Sequence, residues 1–258
     1  MKVVILAGGH GTRISEESYL KPKPMIEIGN RPIIWHIMKS YSHYGYNDFI
    51  ICCGYKANVI KEYFYNYYLY CSDVTFNFEK EKEIVIHSSA AEPWNVTVVD
   101  TGLDTMTGGR VKRVANYLKN ETFMLTYGDG VCDVNLRELE QYHRQHGKLV
   151  TLTAVRPGSR FGTLTIGRDN IVSTFAEKRQ EDAGWINGGY MVLEPEILNH
   201  IPGDDTILEQ EPLEHAANTG NLVARTHSGF WACMDTLRDK QYLDDLLSVG
   251  DAPWEVWE

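Results

Sequence analysis

The chain has 258 residues, enough for one large α/β domain or two small ones, and its 43% hydrophobic content can fill a sizeable core. The formal net charge of −10 argues against a nucleic-acid surface, so any anionic ligand must meet locally gathered cations or a recruited metal. The five cysteines form no CxxC pair, the N-terminus reads as a strand rather than a leader, and no apolar run reaches spanning length. These features predict a soluble, reduced, cytoplasmic protein with neither nucleic acid nor membrane as a partner.

Val3 to Leu6 is a short β-branched apolar run, long enough for one buried strand. Gly8, Gly9 and Gly11 follow it, where a backbone without Cβ atoms turns sharply and lies close to a ligand. Thr12 adds a hydroxyl, Arg13 a permanent cationic fork, and Lys21 and Lys23 two more cations. A strand running into such a loop is suited to phosphate. The spacing fits neither the P-loop nor GxGxxG, because Ile14 stands where the third glycine would fall. A glycine cluster alone reads equally well as a tight turn; the cations tilt it to phosphate binding.

Asn30-Arg31-Pro32 reads as a helix start with Asn30 as N-cap, and Ile33, Ile34, Ile37, Met38 and Tyr41 recur at helical spacing up to Gly45. Asp48 to Cys53 is a second buried strand. Val59, Ile60, Tyr63 and Phe64 give a second amphipathic helix. This βαβα order implies a doubly wound, mostly parallel, Rossmann-like sheet of the α/β class, whose phosphate sites lie beyond the carboxyl ends of its strands. The tyrosine-rich run 63–70 suits a half-buried helix face better than a stacking or subunit surface. A hairpin is expected over 74–78 and 84–87, a strand over 96–100, and a glycine-bearing loop at 101–110 before a helix to about 118.

Thr122 to Tyr127 reads as a strand, and Gly128-Asp129-Gly130 follows it. Asp129 alone reads as a turn residue; between an apolar strand and a phosphate loop it gains a metal-binding reading. Asn135 to His146 is a helix and Leu149 to Val155 a strand. From 156 an insertion begins, with paired strands over 163–166 and 171–175, then Glu177-Lys178 and Ile186-Asn187-Gly188-Gly189-Tyr190. Glu, Lys and Asn beside glycines are groups that hold sugar hydroxyls and a sugar phosphate, so this is a candidate β-rich sugar-side lobe; Lys178 also reads as a solvated surface lysine. Glu209 to Gly220 is a helix and Leu222 to Arg225 a strand. Asp235 follows an apolar stretch and reads as the N-cap of a helix running to about 248. The tail Trp254-Glu-Val-Trp257 is too aromatic for a solvated end and docks on the protein or on a neighbouring subunit.

LAGGHGTR with KPKPM, EPWNVTVVDTG, MTGGRVKRV, TYGDG, INGGY and MDTLRDK together resemble the sugar-1-phosphate nucleotidylyltransferases across essentially the whole chain. The resemblance implies one domain, 1–258, with a nucleotide-binding core to about 155, a sugar-binding part to about 235 and a C-terminal helix and tail. It implies cytidylyl transfer from CTP to α-D-glucose 1-phosphate, giving CDP-glucose and pyrophosphate for deoxysugar or O-antigen-type polysaccharide synthesis. Mg²⁺ would sit on Asp129 and Asp235, with Arg13 and Lys23 at the leaving phosphates. Leu6, Ala7, Gly8, Gly9, Gly11, Thr12, Thr105, Gly109, Arg110 and Gly128 would line the nucleotide, and Gly162, Glu177, Lys178, Asn187 and Gly188 the sugar phosphate. The family's Glu-Lys-Pro is here Glu177-Lys178-Arg179, which alters the turn rather than the lysine. A homo-oligomer, a hexamer, is implied as well. Another nucleotide or sugar, a non-catalytic sugar-nucleotide sensor, and an NAD-dependent dehydrogenase are the competing readings. The dehydrogenase lacks its glycine fingerprint here.

Overall fold

In a computed structural model of the protein, residues 1–9, 14, 19, 21–79, 83–157 and 184–257 are described in full, and 163–166 and 172–176 by their backbone. The strands are β1 (Lys2–Ala7), β2 (Glu27–Ile28), β3 (Arg31–Pro32), β4 (Asp48–Cys53), β5 (Ser72–Asn77), β6 (Glu83–Ser89), β7 (Asn95–Asp100), β8 (Phe123–Tyr127), β9 (Gly130–Cys132), β10 (Val150–Val155), β11 (Thr163–Ile166), β12 (Val172–Ala176), β13 (Ile186–Leu193), β14 (Leu222–His227) and β15 (Trp231–Cys233). The α-helices are α1 (Ile33–His43), α2 (Ala57–Tyr70), α3 (Thr107–Arg113), α4 (Ala115–Leu118), α5 (Leu136–His146), α6 (Glu211–Asn218) and α7 (Leu237–Ser248).

Among the described residues the main sheet has seven strands in the order β14-β10-β13-β8-β1-β4-β7. All point one way except β13, which runs antiparallel to both neighbours. Strands buried on both faces need apolar residues at every position, which explains the uninterrupted runs of β1 and β4. Val3, Ile5 and Ala7 pack on one face with α1, while Val4 and Leu6 pack on the other with Val111, Val114 and Leu118. The chain leaves β1 toward β4 and β7, then returns to β8 on the far side of β1. The order therefore reverses at β1, and a crevice opens beyond the carboxyl ends of β1 and β8.

Three local expectations need correction. Asn30 is not an N-cap: residues 29–30 form the turn between β2 and β3, and Pro32 occupies the cap position. The cap of α7 is Thr236 rather than Asp235, in a capping box with Asp239. Glu209 precedes α6 instead of opening it. The tyrosine run divides as a half-buried face should. Tyr67 is buried and stacks on Trp94, whereas Tyr65 is 87% exposed. The tail docks on its own chain: Trp254 is fully buried, its Nε1 donates to His36 Nδ1 at 3.3 Å, and Trp257 meets Trp35 edge-on.

Candidate active site

The crevice at the sheet's reversal point holds a cavity of about 420 Å³. Its floor is the end of β1, with Leu6, Ala7, Gly8 and Gly9, and the end of β8, with Tyr127, Gly128 and Asp129. The Gly128 amide donates to the Leu6 carbonyl at 3.0 Å, so the two strand ends stay joined. Leu103 to Thr107 form one wall, and Lys23 with Pro24 another. Gly11, Thr12, Arg13, Gly162, Glu177 and Lys178 lie outside the described residues.

Lys23 opens a short 3-10 turn, Lys23–Met25, set by the flanking prolines. Its Nζ lies 2.6 Å from Asp129 Oδ2 and 2.6 Å from Asp235 Oδ1. Burial alone would lower the pKa of this ammonium, but the two carboxylates outweigh it and hold the pKa above its ordinary value. The acids come together because β9 pairs with β15: Asp129 precedes one strand, Asp235 follows the other, and the Met234 amide donates to the Asp129 carbonyl at 2.8 Å. Two residues 106 apart in sequence thus sit at one end of a two-stranded ribbon, facing one cation.

Arg110 lines the cavity, but both terminal nitrogens are engaged by protein oxygens. Nη1 donates to the Cys53 and Gly102 carbonyls at 3.1 and 2.7 Å and to Thr101 Oγ1 at 2.8 Å. Nη2 donates to the Gly8 and Leu103 carbonyls, both at 3.1 Å. One buried guanidinium therefore ties the ends of β1, β4 and β7 to the 101–105 loop; desolvation lowers its pKa from the ordinary arginine value. Thr105 faces the cavity. Gly109 instead turns away from it and packs against Asp204.

The reversed strand β13 brings its amino end to the crevice. Asn187 accepts from the Gly189 amide at 2.9 Å and donates to the Tyr127 hydroxyl at 3.4 Å. The Tyr127 hydroxyl donates to Glu209 Oε1, and Thr107 Oγ1 donates to Glu209 Oε2 at 2.6 Å. Burial and the Glu209 carboxylate together raise the Tyr127 pKa, so the phenol keeps its proton. Sequence reasoning missed Tyr127 and Glu209. No sequence signal pairs them; the structure explains Gly189, whose φ is +82° and whose ideal Cβ would stand 2.5 Å from the Tyr127 ring.

Residues 2–232 match the nucleotidyl transferase family. The chain belongs to this family. It is 56% identical to glucose-1-phosphate cytidylyltransferase of Salmonella typhimurium, over the whole of both chains. It is 42% identical to a probable glucose-1-phosphate cytidylyltransferase of Bacillus subtilis, again over both full lengths. The crystal structure of HddC from Yersinia pseudotuberculosis superposes with a TM-score of 0.70 at 23% identity, covering 95% of this chain and 99% of that one, which is a likeness of fold. The doubly wound, mostly parallel sheet expected from the sequence is the one found. Among the described residues no helix is long and apolar enough to cross a membrane.

Proposed function

We propose that this nucleotidyltransferase moves a cytidylyl group from CTP to α-D-glucose 1-phosphate, releasing pyrophosphate and forming CDP-glucose, a donor for deoxysugar or polysaccharide assembly. The observation that carries the reading is the meeting of Lys23, Asp129 and Asp235 at the mouth of the strand-end crevice. The choice of CTP and glucose 1-phosphate draws on the full-length likeness to proteins of that activity.

The attacking sugar-phosphate oxygen is already an anion, so no general base is required; the site has to bring polyanions together and spread charge. Leu6, Ala7, Gly8 and Gly9 present backbone to the nucleotide, and Gly11, Thr12 and Arg13 extend that cradle. Thr105 and Gly128 border the base and ribose. Lys23 exchanges its carboxylate partners for the leaving pyrophosphate when nucleotide enters. Gly162, Glu177, Lys178, Asn187 and Gly188 hold the sugar phosphate, with Tyr127 and Glu209 fixing the Asn187 amide. Asp129 and Asp235 are oxygen donors aimed at one point already occupied by a cation, which suits Mg²⁺. A bound Mg²⁺ would supply charge neutralisation on the phosphates.

The Gly8 carbonyl accepts from both Arg110 and the Tyr55 amide, so it is not available to read a cytosine amino group. That leaves the stretch around Thr105 as the base-reading wall, and Arg110 as the tie that shapes it. Free cysteines support a reducing, cytoplasmic setting. The exposed apolar hairpin β5–β6, where Phe78 is 88% exposed, supports assembly into a homo-oligomer; the hexamer follows from the family resemblance alone, and light scattering checks it.

The deciding experiment is pyrophosphate release from a matrix of CTP, UTP, dTTP, ATP and GTP against several sugar 1-phosphates. CTP with glucose 1-phosphate is expected to be fastest, with some leakage to UTP. A faster pair elsewhere in the matrix would reassign the substrates, and no release in any pair would favour a sensor.

A further inference from the structure

The ribbon that presents Asp129 and Asp235 has a second end, where three side chains of different metal-binding chemistry meet. Cys132 closes β9, Asp133 follows it, and His227 closes β14; one donor atom of each lies within 4.8 Å of the others. His227 Nε2 is 2.6 Å from Asp133 Oδ1 and 3.4 Å from the Phe230 carbonyl. The sulfur is buried at the base of the cluster, while the Asp133 and His227 side chains are 29% and 17% exposed, which leaves an approach from solvent. Gly229 keeps the space open. An ideal Cβ there would stand 2.5 and 2.7 Å from the two Asp133 oxygens and 2.8 Å from His227 Cε1.

We propose that Cys132, Asp133 and His227 form a binding site for a zinc-class divalent cation, distinct from the Asp129–Asp235 pair. A thiolate, an imidazole and a carboxylate make a mixed set that favours Zn²⁺ or Co²⁺, whereas Mg²⁺ prefers oxygens alone. Three protein donors leave a fourth tetrahedral position for water. Metal–ligand lengths of about 2.0–2.3 Å place tetrahedral donors roughly 3.3–3.7 Å apart, so the His227–Asp133 pair has to open by about an ångström while the sulfur closes in. As the sulfur–metal bond forms, the thiol proton leaves to solvent. Burial, with the Asp133 carboxylate, pushes this thiol up although the Val134 and Asp133 amides donate toward the sulfur, so it is the arriving cation that displaces the proton. A cation here would clamp the end of β9, three residues from Asp129, to the end of β14.

The test is a titration of chelator-stripped, reduced protein with Co²⁺, read by absorption. One equivalent should produce a near-ultraviolet thiolate-to-cobalt band, and Zn²⁺ should displace it. Cys233 lies beside Asp235, its Sγ 3.8 Å from Oδ2, so Cys233→Ser is the control and should keep the band. Cys132→Ser should abolish it. His227→Asn and Asp133→Asn, at partly exposed positions, should each weaken Co²⁺ binding at least tenfold. No band at ten equivalents, a band that survives Cys132→Ser, or undiminished binding in both partly exposed variants overturns the proposal.

Discussion

Gly8 has no room for a side chain because Arg110 fills the space: an ideal Cβ on Gly8 would overlap the guanidinium carbon. The glycine at the start of the loop is therefore fixed by packing from the protein side as well as by approach of a ligand. Gly8→Ala should displace Arg110 and strand the carbonyls it serves. Each buried carbonyl left unpaired costs about 1–3 kcal/mol. A lower thermal midpoint with a raised KM for CTP is expected. Arg110→Lys should behave similarly, since one ammonium cannot span five acceptors. A Gly8→Ala protein with wild-type midpoint and KM would contradict this.

Lys23 is expected to matter for the nucleotide rather than for folding. It contacts both acids in a partly buried site and stays charged at neutral pH. Truncation to Ala should lower kcat/KM for the triphosphate by about 10²-fold or more. Kinetics at saturating sugar phosphate measure this. A silent variant would mean that Lys23 serves only as a counter-ion to the acids.

Asp129→Asn should reduce turnover by about 10²–10³-fold while leaving the circular dichroism spectrum unchanged. The same assay in EDTA should show no turnover, and Mg²⁺ should restore it. Because Asp129 and Asp235 ride on one ribbon and face one point, the two substitutions should not add: the double variant is expected to be little worse than the weaker single one.

His36 makes stability depend on pH. Its Nε2 contacts the Ile28 carbonyl at 3.2 Å and its Nδ1 accepts from the Trp254 indole at 3.3 Å, an arrangement that fits the neutral ring. Burial lowers its pKa from 6.5 to about 4. The unfolded chain then takes up the proton first as pH falls. Stability from this group is complete above about pH 6.5 and is lost as pH falls toward 4, a contribution of about 3 kcal/mol over that window. Glu255, 3.9 Å from Nδ1, is the nearest carboxylate able to meet the charged ring. Urea unfolding across this range should show the slope, and His36→Gln should flatten it. Trp254→Ala, which removes a fully buried ring, should cost about 3–5 kcal/mol.

What the sequence made legible was whatever depends on local pattern. Asp48 to Cys53 was bounded to the residue, because a β-branched and aromatic run between turn signals has few alternatives. Gly128-Asp129-Gly130 was placed correctly at a strand end for the same reason. Caps were less legible. Asp235 and Thr236 are both good N-caps, and the choice fell to Asp239, whose carboxylate accepts from the Thr236 amide at 2.8 Å. Asn30 lost its helix to a two-residue ladder whose turn needs Gly29 at φ +61°. Long-range polar pairing was illegible. Nothing near Lys23 in sequence points to two acids as its partners, and nothing near Glu209 points to Tyr127. The family resemblance puts Arg110 beside the nucleotide; the side chain does line the cavity, and nothing in MTGGRVKRV foretells that it also donates to carbonyls from three separate segments.

The ribbon of β9 and β15 also closes a circuit. The Asp133 amide donates to the Phe230 carbonyl at 3.2 Å, so the chain that leaves the ribbon after β9 comes back to it just before β15. β13, with Asn187, and Glu209 lie inside that circuit. Lengthening or trimming an exposed loop within it is expected to leave that closing hydrogen bond, and with it the spacing of the two acids, unchanged. The same circuit reaches back to the opposite wall of the cavity, where Thr107 donates to Glu209 and the Met106 amide to the Asp204 carbonyl, so a change on the Asn187 side should be felt on the Thr105 wall as well.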